Sequence, residues 1–140
     1  MSTSRPVIIL EDDKDEQELL AEAFKNINVE HPLRFFADGE SFLHYLHTTV
    51  ENPFLIISAI NLHKLNGLEV RKQIQADDYL KSKGIPYIFF TVKDDRKVIH
   101  EAYNLTVQGY FIKKDKMEAI EKQLALIIDY WKQCRHPSNL

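Results

Sequence analysis

Short apolar runs alternate with amphipathic segments along this chain, which predicts an α/β protein: one parallel sheet with helices on both faces. Three observations carry the prediction. Five runs rich in β-branched and aromatic residues recur along the 140 residues. Each is followed by apolar residues at three- and four-residue spacing, the period of a helix. The runs themselves lack polar alternation, as strands buried on both faces do.

The first run is residues 7–10, stopped by Glu11-Asp12-Asp13. From Lys14 the spacing turns helical through Leu19, Leu20, Ala23, Phe24 and Ile27, with Asp12 or Asp13 suited to cap that helix. Residues 33–37 read as the second strand. Asp38-Gly39 then leads into a helix carrying Phe42, Leu43, Tyr45 and Leu46. Residues 54–57 read as a fully buried strand, and Gly67 opens a helix with Leu68, Val70 and Ile74. Residues 85–90 form the fourth strand. Pro86 sits at its entry, where a missing N–H is tolerated. A helix follows around residues 98–103, residues 107–112 make the fifth strand, and a last helix runs over about residues 115–133.

Composition places these elements in one domain. The chain is 16.4 kDa with 44% hydrophobic and 28% charged residues, enough for a core without staples. The net charge of −3 disfavours a nucleic-acid backbone or an anionic membrane as partner. The single cysteine, Cys134, forbids an internal disulfide and suits a reducing, cytoplasmic setting. No apolar run reaches the length needed to span a bilayer, and the N-terminal residues do not form a secretory signal. The domain is expected over residues 1–133, with residues 134–140 a disordered tail containing Pro137.

In open parallel sheets the functional crevice lies beyond the carboxyl ends of the strands. Here those ends carry Glu11 and Asp12, Thr91, and Lys113. Adjacent carboxylates repel and need a nearby cation. A hard divalent ion such as Mg²⁺ would serve, and Lys113 supplies a fixed positive charge. An acidic pair alone would read as solvated loop. Joined by a hydroxyl and an ammonium at matching strand ends, it reads as a site.

Ile8-Ile9-Leu10-Glu11-Asp12-Asp13, the stretch from Asn61 to Val70, Thr91, and Gly109-Tyr110-Phe111-Ile112-Lys113 resemble the receiver domain of two-component response regulators. The likeness runs over roughly residues 6–131. It implies a flavodoxin-like (βα)₅ three-layer sandwich with strand order 2-1-3-4-5. It implies that Glu11, Asp12 and the Asn61 backbone carbonyl hold Mg²⁺. It also implies that Thr91 and Lys113 bind phosphoryl oxygens, and that Tyr110 moves with Thr91 to rework an output surface. Histidine kinases or downstream effectors would be the partners, met by protein–protein contact rather than by enzymatic turnover.

One departure decides the functional reading. The family takes its phosphoryl group on an aspartate at the end of the third strand, and here that position is Ala59. A methyl group has no lone pair with which to attack phosphorus. Ser58 is adjacent, but side chains alternate along a strand, so it should point elsewhere. His63 and Lys114 stand where the family often has proline. Scattered departures favour a naturally degenerate receiver. An ordinary phospho-accepting receiver whose aspartate has been exchanged is the alternative, and a small Mg²⁺-dependent phosphoryl-transfer enzyme ranks last. With one carboxylate gone, Mg²⁺ binding should be weak and Lys113 should pair with Glu11 and Asp12. The middle of the recess should hold no further oxygen.

Other features read as structural. His44 and His47 share a helix face but lack further ligands in sequence, so they are taken as surface residues. No glycine-rich phosphate loop is present. The run Lys93-Asp94-Asp95-Arg96-Lys97 reads as a solvated helix start. In the last helix Met117, Ile120, Leu124, Ile127, Ile128 and Trp131 form the stripe facing the sheet. Leu126 and Tyr130 fall outside that stripe, which predicts a homodimer or partner contact through this helix.

Overall fold

The computed structural model describes residues 5–137. The strands β1 (Val7–Leu10), β2 (Leu33–Phe36), β3 (Leu55–Ser58), β4 (Tyr87–Thr91) and β5 (Gly109–Ile112) form one sheet in the order β2-β1-β3-β4-β5. Every neighbouring pair is parallel. This is the order and layering expected. Because β1 lies between β2 and β3, the chain switches direction across the sheet at β1, and the crevice opens beside that switch.

The helices are α1 (Lys14–Asn26), α2 (Gly39–Thr48), α3 (Gly67–Ala76), α4 (Asp78–Ser82), α5 (Arg96–Asn104) and α6 (Met117–Gln133). Most begin on a side-chain oxygen that accepts from the otherwise unpaired first-turn N–H groups. Asp13 caps α1, Asp38 caps α2 and Asp95 caps α5. Asn66 and Glu69 form a reciprocal capping box at α3. The sequence reading expects five helices, and α4 is the addition. Asp77 ends α3 and at once accepts from the Leu80 N–H at 3.1 Å, so the chain restarts as a short helix instead of entering a loop.

Alternation along the strands fills two cores. Ile8, Leu10, Ile56, Tyr87 and Phe89 face α2, α3 and α5. Val7, Ile9, Leu55, Ile57, Ile88 and Phe90 face α1 and α6. The stripe expected on α6 is the one that packs: Ile120, Leu124, Ile127 and Ile128 are buried, with Met117 and Trp131 against them. No helix is long and apolar enough to cross a membrane among the described residues.

The C-terminal segment differs from expectation. Cys134 to Pro137 fold back beneath the sheet. His136 is 3% exposed, with its ring centroid 5.2 Å from that of Phe54. His31 stacks on Phe54 at 4.2 Å and donates from Nδ1 to the Arg5 carbonyl. Pro137 closes over Gly84, whose φ of +62° and bare Cα allow the contact. The expected disorder is therefore corrected for residues 134–137, because aromatic packing holds them. Residues 138–140 lie outside the described residues.

Candidate functional site

Glu11, Ala59 and Lys113 stand one step past the ends of β1, β3 and β5, Thr91 ends β4, and the ladder's last hydrogen bonds fix these tips. The Glu11 N–H donates to the Phe36 carbonyl at 3.0 Å and the Ala59 N–H to the Leu10 carbonyl at 2.9 Å. The Lys113 N–H donates to the Thr91 carbonyl at 2.8 Å. The result is a recess of about 250 Å³ lined by Glu11, Asp12, Ala59, Asn61, Thr91 and Lys113 among others. The strand tips do converge, and the structure brings together every expected pocket residue except Tyr110. That residue stands beside the recess. Its ring packs on Phe89 and its hydroxyl donates to the Lys93 carbonyl at 2.7 Å on the β4–α5 loop. Burial, with Asp94 and Asp95 nearby, pushes the Tyr110 hydroxyl up from its ordinary pKa. Thr91 is nearly buried, and its Oγ1 accepts the Lys93 N–H at 3.2 Å.

The floor of the recess is pinned from below. Ser58 is fully buried and faces away from the recess, as alternation requires. Its hydroxyl donates to the Ala59 carbonyl at 2.7 Å and accepts from the Tyr87 hydroxyl at 3.2 Å. Tyr87 also donates to the Gly67 carbonyl at 2.8 Å, and Arg71 stacks over its ring at 5.5 Å. Burial pushes the Tyr87 hydroxyl far above its ordinary pKa, so it stays a donor. A Cβ on Gly67 would stand 2.2 Å from the Ala59 carbonyl oxygen. Glycine there lets the start of α3 press directly on the end of β3.

Acids crowd the mouth of the recess. Burial pushes the Glu11 carboxyl up to about 7, the Asp13 N–H pulls it down, and the charges of Asp12 and Glu16 raise it again. The Glu11 Oε2 accepts that Asp13 N–H at 3.0 Å. His63 Nε2 lies 3.9 Å from Asp12 Oδ2.

Lys113 does not pair with Glu11 and Asp12 as expected. Its ammonium donates to both carboxylate oxygens of Glu16, at 2.6 Å to Oε1. The Glu11 carboxylate is turned onto the backbone at the start of α1, whereas Glu16 sits in the first helical turn within reach of β5. The recess therefore contains an oxygen pair that the sequence reading left out. Glu16 carried a signal: it stands four and seven residues before the buried Leu20 and Ala23, on the inward face of α1.

The groups that could hold a hard cation are the Glu11 and Asp12 carboxylates and the Asn61 carbonyl. Oxygen donors of this kind suit Mg²⁺, which keeps several of its waters. Among the described residues no three His, Cys, Asp or Glu side chains are arranged to hold a metal ion. His44 and His47 are exposed on α2, with His47 3.4 Å from Asp77.

Residues 7–125 match the model of the response regulator receiver domain. The chain belongs to the response regulator receiver family. It is 27% identical over 130 residues to response regulator Rcp1 of Synechocystis sp. (strain ATCC 27184 / PCC 6803 / Kazusa), covering 89% of this chain and 87% of that protein. The crystal structure of the phosphorylated cyanobacterial phytochrome response regulator RcpA superposes with a TM-score of 0.85 at 26% identity, covering 96% of this chain and 99% of the other. The Mn²⁺-bound form of Rcp1 does so at 0.80 and 25%, covering 95% and 99%. The recess at the strand ends of this receiver domain thus lies on a fold shared with a phosphorylated and a metal-bound response regulator.

Proposed function

We propose that this receiver domain signals without taking a phosphoryl group at the end of β3. One observation carries the reading. The strand order sets the end of β3 between the ends of β1 and β4, and there the residue lining the recess is Ala59. Glu11 and Asp12 stand on one side, Thr91 and Lys113 on the other. Ser58 cannot replace the missing acceptor, because its hydroxyl is committed to Ala59 and Tyr87 inside the core. On this reading Ala59 occupies the phosphoacceptor position, and Thr91 and Tyr110 are the residues that would couple the recess to a partner. Glu11, Asp12 and the Asn61 carbonyl would hold Mg²⁺ weakly, since the end of β3 supplies no carboxylate to it. The ion would supply charge neutralisation of the acid pair. The Mn²⁺-bound form of Rcp1, a response regulator of the same fold, supports binding of a divalent metal.

Without an acceptor at the end of β3 the domain is read as a contact module, not an enzyme. Its partners would be kinases or effectors of two-component signalling. The α6 face is the proposed site of self-association. Leu126 and Tyr130 are 61% and 59% exposed, beside a cavity of about 350 Å³ lined also by Ile88 of β4 and Phe111 of the edge strand β5. The receiver domain is read over residues 1–133, with His136 and Pro137 packed against it.

Incubation with a small acyl phosphate and Mg²⁺, followed by intact mass, tests the central claim. The wild-type chain should gain no phosphoryl mass, and Ala59→Asp combined with Glu16→Gln should gain one. A gain in the wild type overturns the reading. If that gain vanished in Glu16→Gln, the acceptor would be Glu16.

A further inference from the structure

The geometry points to Glu16 as the residue that sets what the recess can bind: its carboxylate occupies Lys113, so the recess admits cations and turns oxyanions away. This rests on the reading of Ala59 above and deepens it. Lys113 is the ammonium that lines the recess, and its side chain is 13% exposed. An oxyanion entering beside Ala59 would have to use it. Both oxygens of Glu16 already face it, which is how a bound oxyanion would sit.

The charge balance supports the same conclusion. With Glu11 and Asp12 alone, Lys113 would leave the recess one net negative charge. Glu16 adds its carboxylate to those of Glu11, Asp12 and Asp13, so four acids and one ammonium line the recess. The Glu16 carboxylate comes from α1 rather than from β3. It reaches across 97 positions of sequence to β5. An arriving oxyanion therefore meets a recess lined by acids and no free ammonium. A divalent cation meets Glu11 and Asp12 without competition from Lys113.

The probe is inorganic phosphate, titrated into the full chain and followed by amide shifts of Ala59, Thr91 and Lys113. Phosphate binding is non-covalent, so its outcome is separate from the mass experiment. Wild type should show no saturable shifts. Glu16→Gln, and Glu16→Ala as a second variant, should bind phosphate at least about tenfold more tightly. Adding Lys113→Gln should abolish the gain. Equal phosphate affinity in wild type and both variants overturns the inference, as does a gain that survives the loss of Lys113. A mass gain in the wild type would sink the reading of Ala59 while leaving this measurement to stand or fall by itself.

Discussion

Gly67→Ala tests the junction on which the recess is built. The added methyl carbon would stand 2.2 Å from the Ala59 carbonyl oxygen, 2.8 Å from Phe89 Cε1 and 2.8 Å from Ser58 Oγ. Contact with a carbonyl oxygen needs a separation more than 1 Å greater, so β3 and α3 must part. Neither yields easily. The Gly67 N–H donates to the Ile60 carbonyl at 2.8 Å, and the Gly67 carbonyl is held by Tyr87. Overpacking of this kind costs about 1–3 kcal/mol, and the backbone contact argues for the upper end. The helix gains at most about 1 kcal/mol from replacing glycine by alanine. The net loss is then about 2 kcal/mol, or roughly 6 °C in Tm for a domain of this size. Urea unfolding measures it as a lower midpoint at unchanged slope. Gly109→Ala is the control. Its nearest neighbour would be 3.5 Å away, so its stability should hold or rise. A Gly67→Ala protein within about 0.5 kcal/mol of wild type would refute the claim that α3 presses on β3.

Tyr87→Phe removes the donor to Gly67 and Ser58 and should cost about 1–3 kcal/mol by urea unfolding. A double-mutant cycle with Ser58→Ala should return a coupling of at least about 0.5 kcal/mol, and additivity would show that the two hydroxyls act separately. Burial holds His31 and His136 below their ordinary 6.5. The unfolded chain therefore takes up their protons first, and their contribution, complete above 6.5, is lost as pH falls through the depressed values. Tm should drop on acidification, and His136→Phe, which keeps an aromatic ring on Phe54, should flatten the drop. Glu11 opposes this: raised from 4.5 to about 7, it costs stability as pH climbs through that interval, so Glu11→Gln should steepen the acid-side fall. Leu126→Glu with Tyr130→Glu should shift light-scattering mass toward the monomer, and a wild-type monomer at micromolar concentration would remove the proposed dimer.

The framework of the recess was legible because it depends on local pattern and topology. Residues 7–10 have no polar alternation and stop at three acids, so both the strand and its end are written in four apolar letters. Once five such strands are parallel, the tips must share one end of the sheet, and the resemblance places Ala59 by counting back from Gly67-Leu68-Glu69-Val70 through Asn61. Ser58 followed from the two-residue period alone. What stayed hidden depends on competition between groups of the same kind. Seven acids lie between Glu11 and Glu22, and nothing in their spacing says which one Lys113 will choose. Glu16 reads equally well as an acid placed for the helix dipole. The choice is made in three dimensions, where the Asp13 N–H draws Glu11 away and the first turn of α1 carries Glu16 toward β5. His136 was hidden for a related reason. A polar tail with a proline reads as disorder, yet Phe54 and Trp131 leave an aromatic slot that a histidine ring can fill while uncharged. Backbone placement could thus be read from the chain, whereas the partner of each charge could not. On the proposed reading, what the recess binds turns on the partner of Lys113.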